Sequence, residues 1–275
     1  MGRGLPDGRP STSPIMKLGI MQPYLFPHLG YFDLIRGVDR WVVFDATQYP
    51  RHGWVNRNRI LHPVRGWQYI IAPLVRHHRE TRICDIQVVE GCGWRERIER
   101  QLEHYRGKAP HFDAVMSLVR DCLSVPSRSL SCLNVESLRR TCAFLEIPFP
   151  FTVFSEMGLS LGPVEGPGDW ALRIAEALGA QEYINPPGGK DLFDPAKFAA
   201  SGIRLTIQEP VYFRYEVPGY VFEPALSILD ALMWNSRDRL RAYLSGQRGT
   251  NSGASLRFDD NHRLVGPFAG RGQGI

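Results

Sequence analysis

Residues 17–22, Lys-Leu-Gly-Ile-Met-Gln, form a short apolar run that stops at Gln22-Pro23, passes through Pro27-His28-Leu29-Gly30 and enters a helical period from about Tyr31 to Gly37. A second apolar run, Trp41 to Asp45, follows at once. Two buried strands bracketing one short helix pair in parallel, because the helix carries the chain back to the starting edge of the sheet. The chain therefore opens as a βαβ unit. In open α/β sheets ligands sit beyond the carboxyl ends of the strands, which makes the loop after the first strand the leading candidate for a site.

Downstream, residues 46–66 read as a long loop carrying Trp54-Val-Asn-Arg-Asn58. Trp67–Val75 and Arg82–Val89 alternate well enough to be a strand pair closed by His77-His78-Arg79-Glu80. Three helical periods follow. Trp94, Ile98 and Leu102 mark the first, Val115, Leu118, Val119 and Cys122 the second, and Ser129–Leu145 is the longest. Phe149–Ser155 returns to strand, and then the βα rhythm resumes: helix 169–178 stopped by Gly179, strand Glu182–Asn185, the turn Pro186-Pro187-Gly188-Gly189, helix 195–201, strand 204–209 and helix 226–234. This order predicts an α/β fold, a mainly parallel Rossmann-like sheet in one domain over 16–245, with a helical insertion at about 94–146.

Residues 1–15 lack the apolar core of a signal peptide and read as a disordered extension, and the Gly- and Ser-rich stretch 246–275 reads as a disordered tail. No run is apolar and long enough for a membrane span, so a cytoplasmic protein is expected. The net charge of +5 sits mostly in the ends: Arg3, Arg9 and Lys17 against Asp7, and Arg248, Arg257, Arg263 and Arg271 against Asp259 and Asp260. The body is near neutral, which argues against nucleic acid as a partner. Cys84, Cys92, Cys122, Cys132 and Cys142 contain no Cys-x-x-Cys pair, so reduced thiols are expected rather than disulfides or a zinc ribbon. No His-Glu-x-x-His motif or carboxylate cluster points to a metal.

Four ordered blocks carry a family likeness: Met21-Gln-Pro-Tyr-Leu-Phe-Pro-His-Leu-Gly-Tyr-Phe32, Trp54-Val-Asn-Arg-Asn58, Glu182-Tyr-Ile-Asn-Pro-Pro-Gly-Gly189 with Leu192-Phe193, and Leu226-Ser-Ile-Leu-Asp-Ala-Leu-Met-Trp-Asn235. Together they resemble the signature blocks of the WbqC-like family over residues 17 to about 245. That resemblance implies a role in building sugar-containing surface polysaccharides or related metabolites. His28 departs from the aromatic residue expected at its position. More loosely, His28-Leu29-Gly30-Tyr31 resembles the His-x-Gly-His loop of the nucleotidyltransferase class that includes pantothenate synthetase, with the second His replaced by Tyr. This second likeness implies ATP or another nucleotide as a possible cofactor.

The candidate catalytic residues are His28 and Asp45. His28 either binds or moves a proton, or simply caps the next helix. Asp45 ends the second strand and either orients an amine, a ribose or a base, or caps the loop that follows. The candidate binding residues are Gln22, Tyr24, Tyr31, Trp54, Asn56, Arg57, Asn58, Asn185, Gly188 and Gly189. Gln22 and the asparagines offer amides to an acceptor, and Arg57 a guanidinium fork to a phosphate or carboxylate. Gly188-Gly189 allows close backbone approach to an anion, or serves the turn alone. Ser227 and Asp230 fit bracing of the first loop. An amide- and Arg-rich crevice of this kind suits the positioning of two reactants. The expected activity is acyl or aminoacyl transfer, forming an amide on the amino group of a nucleotide-linked sugar or related metabolite. The alternatives are ATP-dependent adenylyl or nucleotidyl transfer, and a non-catalytic sugar- or nucleotide-binding accessory protein.

Overall fold

A computed structural model of the chain describes residues 15–246 and two short strands beyond them, Leu256–Phe258 and Leu264–Pro267. The remainder of the expected extension and tail lies outside the described residues. The first strand, β1 (Lys17–Met21), buries Leu18 and Ile20 on one face. The first helix, α1 (Leu29–Arg36), begins where the His28 side chain accepts a hydrogen bond from Gly30 N and buries Leu29, Phe32 and Ile35 on the opposite face of the sheet. Strand β2 (Arg40–Val43) then pairs parallel with β1, Leu18 opposite Arg40 and Met21 opposite Val43.

The sheet is completed by β5 (Phe151–Val153), β6 (Glu182–Asn185) and β7 (Arg204–Ile207), all parallel, in the spatial order β5-β2-β1-β6-β7. Counted along the sheet's own strands this is the doubly wound order 3-2-1-4-5. The winding direction reverses between β1 and β6, the switch point beyond whose strand ends doubly wound sheets place their ligand crevice. Helices α5 (Asp169–Leu178) and α6 (Pro195–Ala200) cover one face through Leu172, Ile174, Ala175 and Phe198. The other face carries the larger core. It is built from α1, the helices α2 (Trp94–Leu102), α3 (Phe112–Leu123) and α4 (Leu130–Phe144), and α7 (Ile228–Trp234) and α8 (Arg237–Leu244). The fold is α/β with a parallel sheet, as the element order predicts.

One pairing differs from expectation. Trp67–Val75 does not pair with Arg82–Val89 as a hairpin. Instead β3 (Arg57–Leu61) pairs antiparallel with β4 (Trp67–Ile71), Arg57 opposite Ile71 and Leu61 opposite Trp67. Residues 82–89 contribute a 3-10 turn, Ile83–Asp85, and an isolated bridge from Val88 to Leu74. The physical reason is the inner face of this hairpin, where Asn58, Ile60 and Ile70 are buried side by side. Asn58 makes the segment read as loop, yet its amide points inward and finds backbone partners there.

Candidate active site at the carboxyl edge of the sheet

The loop from β1 to α1 is held along its length by its own carbonyls. Gln22 O accepts from the Tyr31 hydroxyl at 2.8 Å, Pro23 O from Asn134 Nδ2 at 2.9 Å, and Leu25 O from Asn58 Nδ2 at 3.0 Å. Phe26 O accepts from Asn58 Nδ2 at 2.9 Å and Ser227 Oγ at 2.8 Å, and Pro27 O from Ile228 N at 2.9 Å. Phe26 itself has φ +43°, and Ala225, next to the Ser227 end of this brace, has φ +51°. Left-handed backbone at a non-glycine residue is costly and persists where its surroundings over-determine it, typically at functional loops.

His28 sits half-buried at the start of α1. Because its Nδ1 accepts the Gly30 N–H at 3.1 Å, the neutral ring carries its own hydrogen on Nε2. The imidazole is thus set up as a hydrogen-bond donor at a helix N-terminus. Gly30 is required for this arrangement, since a Cβ there would stand 2.7 Å from the His28 ring. Tyr24 and Tyr31 pack as tilted rings with centroids 5.7 Å apart, and burial pushes the Tyr24 phenol up to about 12 and that of Tyr31 well above its ordinary range. Both are therefore hydroxyl donors at neutral pH. Gln22 is half-buried at the mouth of the loop.

Asp45 and Asn185 flank this loop from the neighbouring strands. Asp45 lies just beyond β2, whose next residue, Phe44, donates its N–H to Met21 O at 2.8 Å. Its carboxylate is 1% exposed and accepts from Ser131 Oγ at 2.8 Å, Ser155 Oγ at 2.9 Å and Ser155 N at 3.1 Å. Asp45 therefore reaches the surface only through Ser155, which is exposed. Asn185 ends β6, accepts from the Tyr183 hydroxyl at 2.7 Å and donates to Pro186 O at 2.7 Å. Gly189 folds back so closely that a Cβ would stand 2.3 Å from Asn185 Nδ2, whereas Gly188 faces open space. Gln208 links this side to α1, its N–H to Asn185 O at 2.8 Å and its amide to Asp33 Oδ2 at 2.7 Å.

The Trp54–Asn58 segment runs beside the same loop, with Leu25 N donating to Trp54 O at 3.1 Å. Its polar groups, however, are turned toward the protein. Asn58 is 3% exposed and gives its amide hydrogens to Leu25 and Phe26. Asn56 accepts from the Tyr49 hydroxyl at 2.7 Å and donates to Ala72 O at 3.0 Å. Arg57 donates from Nε to Gly53 O and from a terminal nitrogen to His52 O, with its guanidinium 4.5 Å from the Tyr69 ring centre. Trp54 lies against Arg59, whose guanidinium stands 5.2 Å from both the Trp54 and Trp67 ring centres. Through these hydrogen bonds and ring contacts the segment forms the wall behind the loop.

Two participants escaped the sequence reading. Asn134, fully buried on α4, ties Pro23 O to Val55 O with one amide nitrogen, at 2.9 and 2.7 Å. Ser131, one turn earlier, holds Asp45. The signal was available: Ser131, Asn134, Ser137 and Thr141 form a polar line at helical spacing within an otherwise apolar, buried surface. Among the described residues no group of three or more His, Cys, Asp or Glu side chains is placed to hold a metal, all five cysteines are free, and no helix is long and apolar enough to cross a membrane.

A sequence profile of the WbqC-like protein family matches residues 22–242, which takes in the β1 loop, the hairpin, the β6 turn and α7. The chain belongs to the WbqC-like protein family. It is also 31% identical over 221 residues to the uncharacterized protein Rv1507c of Mycobacterium tuberculosis, covering 78% of this chain and 92% of that relative. No solved structure matches the chain. In this WbqC-like protein the four sequence blocks have a common physical basis. Block one is the loop, blocks two and four brace its carbonyls from Asn58 and Ser227, and block three is the strand beside β1 and the turn that follows it.

Proposed function

We propose that the protein is a biosynthetic enzyme that forms an amide, transferring an acyl or aminoacyl group to the amino group of a nucleotide-linked sugar or related metabolite. The reaction site is the crevice around the β1 loop at the carboxyl edge of the sheet, bordered by Asp45 and Ser155 on one side and by the Asn185–Gly189 turn on the other. The observation that carries this reading is the degree to which the β1 loop is fixed: its carbonyls are pinned from β3, α1, α4 and α7, and a strained Phe26 is maintained at its centre. Such pre-organisation suits a reaction catalysed by positioning and by hydrogen bonds to developing charge.

In the proposed step the acceptor amine attacks the acyl carbonyl carbon, a C–N bond forms, and the bond to the donor's leaving group breaks. His28 Nε2–H donates to the carbonyl oxygen as it gains charge. The amine's proton passes to Ser155 Oγ as Ser155 gives its own hydrogen to Asp45, which faces it at 2.9 Å, and the relay runs back to hand that proton to the departing group. Gln22 and Tyr24 orient the acceptor, Tyr31 holds the Gln22 carbonyl in place behind them, and the exposed backbone at Gly188 meets an anionic group. Nucleotide-linked amino sugars offered with acyl-coenzyme A or aminoacyl donors test this directly by mass spectrometry of the amide product. His28→Ala and Asp45→Asn are expected to lower turnover at least about a hundredfold, the usual scale for an acid–base group. Binding of the sugar nucleotide without turnover of any donor would overturn the enzymatic reading.

A second reading, ATP-dependent adenylyl transfer, is favoured by one feature: His28 and Gly30 cap a helix N-terminus, where phosphates are stabilised. Pyrophosphate released from ATP in the presence of a carboxylic acid or sugar phosphate distinguishes it from transfer without ATP.

A further inference from the structure

Away from the crevice, α2 and the turn that follows it present Arg97, Arg100, Gln101 and His104 on one face, at helical spacings that bring the four side chains together. That face looks across a hollow of about 310 Å³ at Pro63 and Gln68 near the tip of the β3–β4 hairpin. The two walls are fastened to each other. Gln101 Nε2 donates to Gln68 Oε1 at 3.2 Å and to Tyr69 O at 2.9 Å.

The charges on this helix are mostly paired, Glu96, Arg97 and Arg100 being the exceptions among the described residues. Arg95 pairs with Glu90, Glu99 with Arg120 and Glu103 with Arg106, each at 2.7 to 2.8 Å. Arg97 and Arg100, the two arginines that border the hollow, have no carboxylate within ion-pair distance among the described residues. Two guanidinium groups a single turn apart, each with a planar fork of donors, match the oxygens of a phosphate or diphosphate better than any neutral ligand. A hollow of this size is at the small end of metabolite pockets and larger than a bare ion needs. The basic face also extends only about 10 Å along the helix, too short to track a nucleic-acid backbone.

We propose that this hollow is a second binding site, taking a phosphorylated small molecule whose phosphate or diphosphate is gripped by Arg97 and Arg100, with Gln68 and Gln101 forming its polar wall. The site is separate from the amide-forming crevice and does not depend on that reading.

The test uses the full-length protein with inorganic pyrophosphate and ribose 5-phosphate, measured by thermal denaturation and calorimetric titration at matched ionic strength. Both probes are expected to raise Tm. The Arg97→Ala/Arg100→Ala double variant, which removes two exposed side chains without an ion pair among the described residues, is expected to bind at least tenfold more weakly, while Arg204→Ala on β7 binds as the parent does. Absence of stabilisation in the parent protein, or unchanged binding by the double variant, would overturn the proposal. So would a short single-stranded RNA that displaces pyrophosphate at lower concentration than pyrophosphate itself requires, which would mark the face as a nucleic-acid contact.

Discussion

The Asn58 side chain amide donates to the carbonyl of Phe26 at 2.9 Å, joining the inner face of the hairpin to the one residue of the β1 loop with left-handed backbone, at φ +43°. The same nitrogen serves Leu25 O at 3.0 Å, so one buried side chain holds two consecutive carbonyls. Residues 25 and 58 are far apart in sequence. Their contact makes the site a property of the whole fold rather than of one loop.

Replacing Asn58 by alanine leaves Leu25 O without this donor and Phe26 O with Ser227 alone. A buried acceptor that loses its partner costs about 1–3 kcal/mol, so Asn58→Ala should destabilise the protein by about 2–4 kcal/mol in urea denaturation. Asn58→Asp should be worse at neutral pH, because a carboxylate then faces two carbonyls, and should recover in part on acidification as the protonated acid regains one donor. An unchanged midpoint for Asn58→Ala would show that the loop does not depend on this brace.

His28 is expected to be an Nε2–H tautomer in the neutral protein, since Nδ1 accepts from Gly30 N. Long-range nitrogen–proton correlation spectra of the imidazole read this directly. Gly30→Ala puts a methyl 2.7 Å from the ring and should displace it, altering the His28 signals while costing only about 1–3 kcal/mol of stability. A native His28 spectrum in Gly30→Ala would count against the cap.

Asp230, on α7, is fully buried and accepts short hydrogen bonds from the Tyr105 and Tyr215 hydroxyls. Burial pushes its carboxyl up to about 6 from an ordinary 3.8, with the two hydroxyls pulling in the opposite direction. A carboxyl whose folded pKa is raised holds its proton more tightly in the native state. Its contribution is therefore fully present below pH 3.8 and is lost as the pH rises through 6, a swing of about 3 kcal/mol at 1.36 kcal/mol per unit. Asp230→Asn cannot titrate. The stability difference between parent and variant, followed by denaturation from pH 3.5 to 7.5, should move in favour of the variant over that interval, and a constant difference would refute the assignment.

Gly188 and Gly189 should behave oppositely. A methyl at 188 meets open space, so Gly188→Ala should stay within about 0.5 kcal/mol of the parent. At 189 the methyl would overlap Asn185 Nδ2, and Gly189→Ala should cost about 1–3 kcal/mol by forcing the turn after β6 apart. Equal Tm values for the two variants would mean that the turn has room the structure does not show.

Local pattern carried most of the architecture. The apolar runs at 17–22 and 182–185, the helical periods at 112–123 and 169–178, and Gly179 as a stop all read correctly, because burial periodicity and capping act over a few residues. The hairpin did not. Asn58 and Arg59 look like loop chemistry in sequence, and only the packed structure supplies the carbonyls and aromatic rings that make them tolerable inside.

The sequence by itself determined that this is a parallel α/β protein with its conspicuous polar residues gathered at the carboxyl ends of the strands. Tertiary structure decided which of those residues face outward. A side chain's hydrogen-bonding capacity is written in its chemistry, but whether that capacity remains for a ligand depends on which distant backbone groups fold against it. Asn58, Asn134 and Ser227 are taken up by the loop's carbonyls, whereas His28 stands at the loop's edge, where its Nδ1 caps α1.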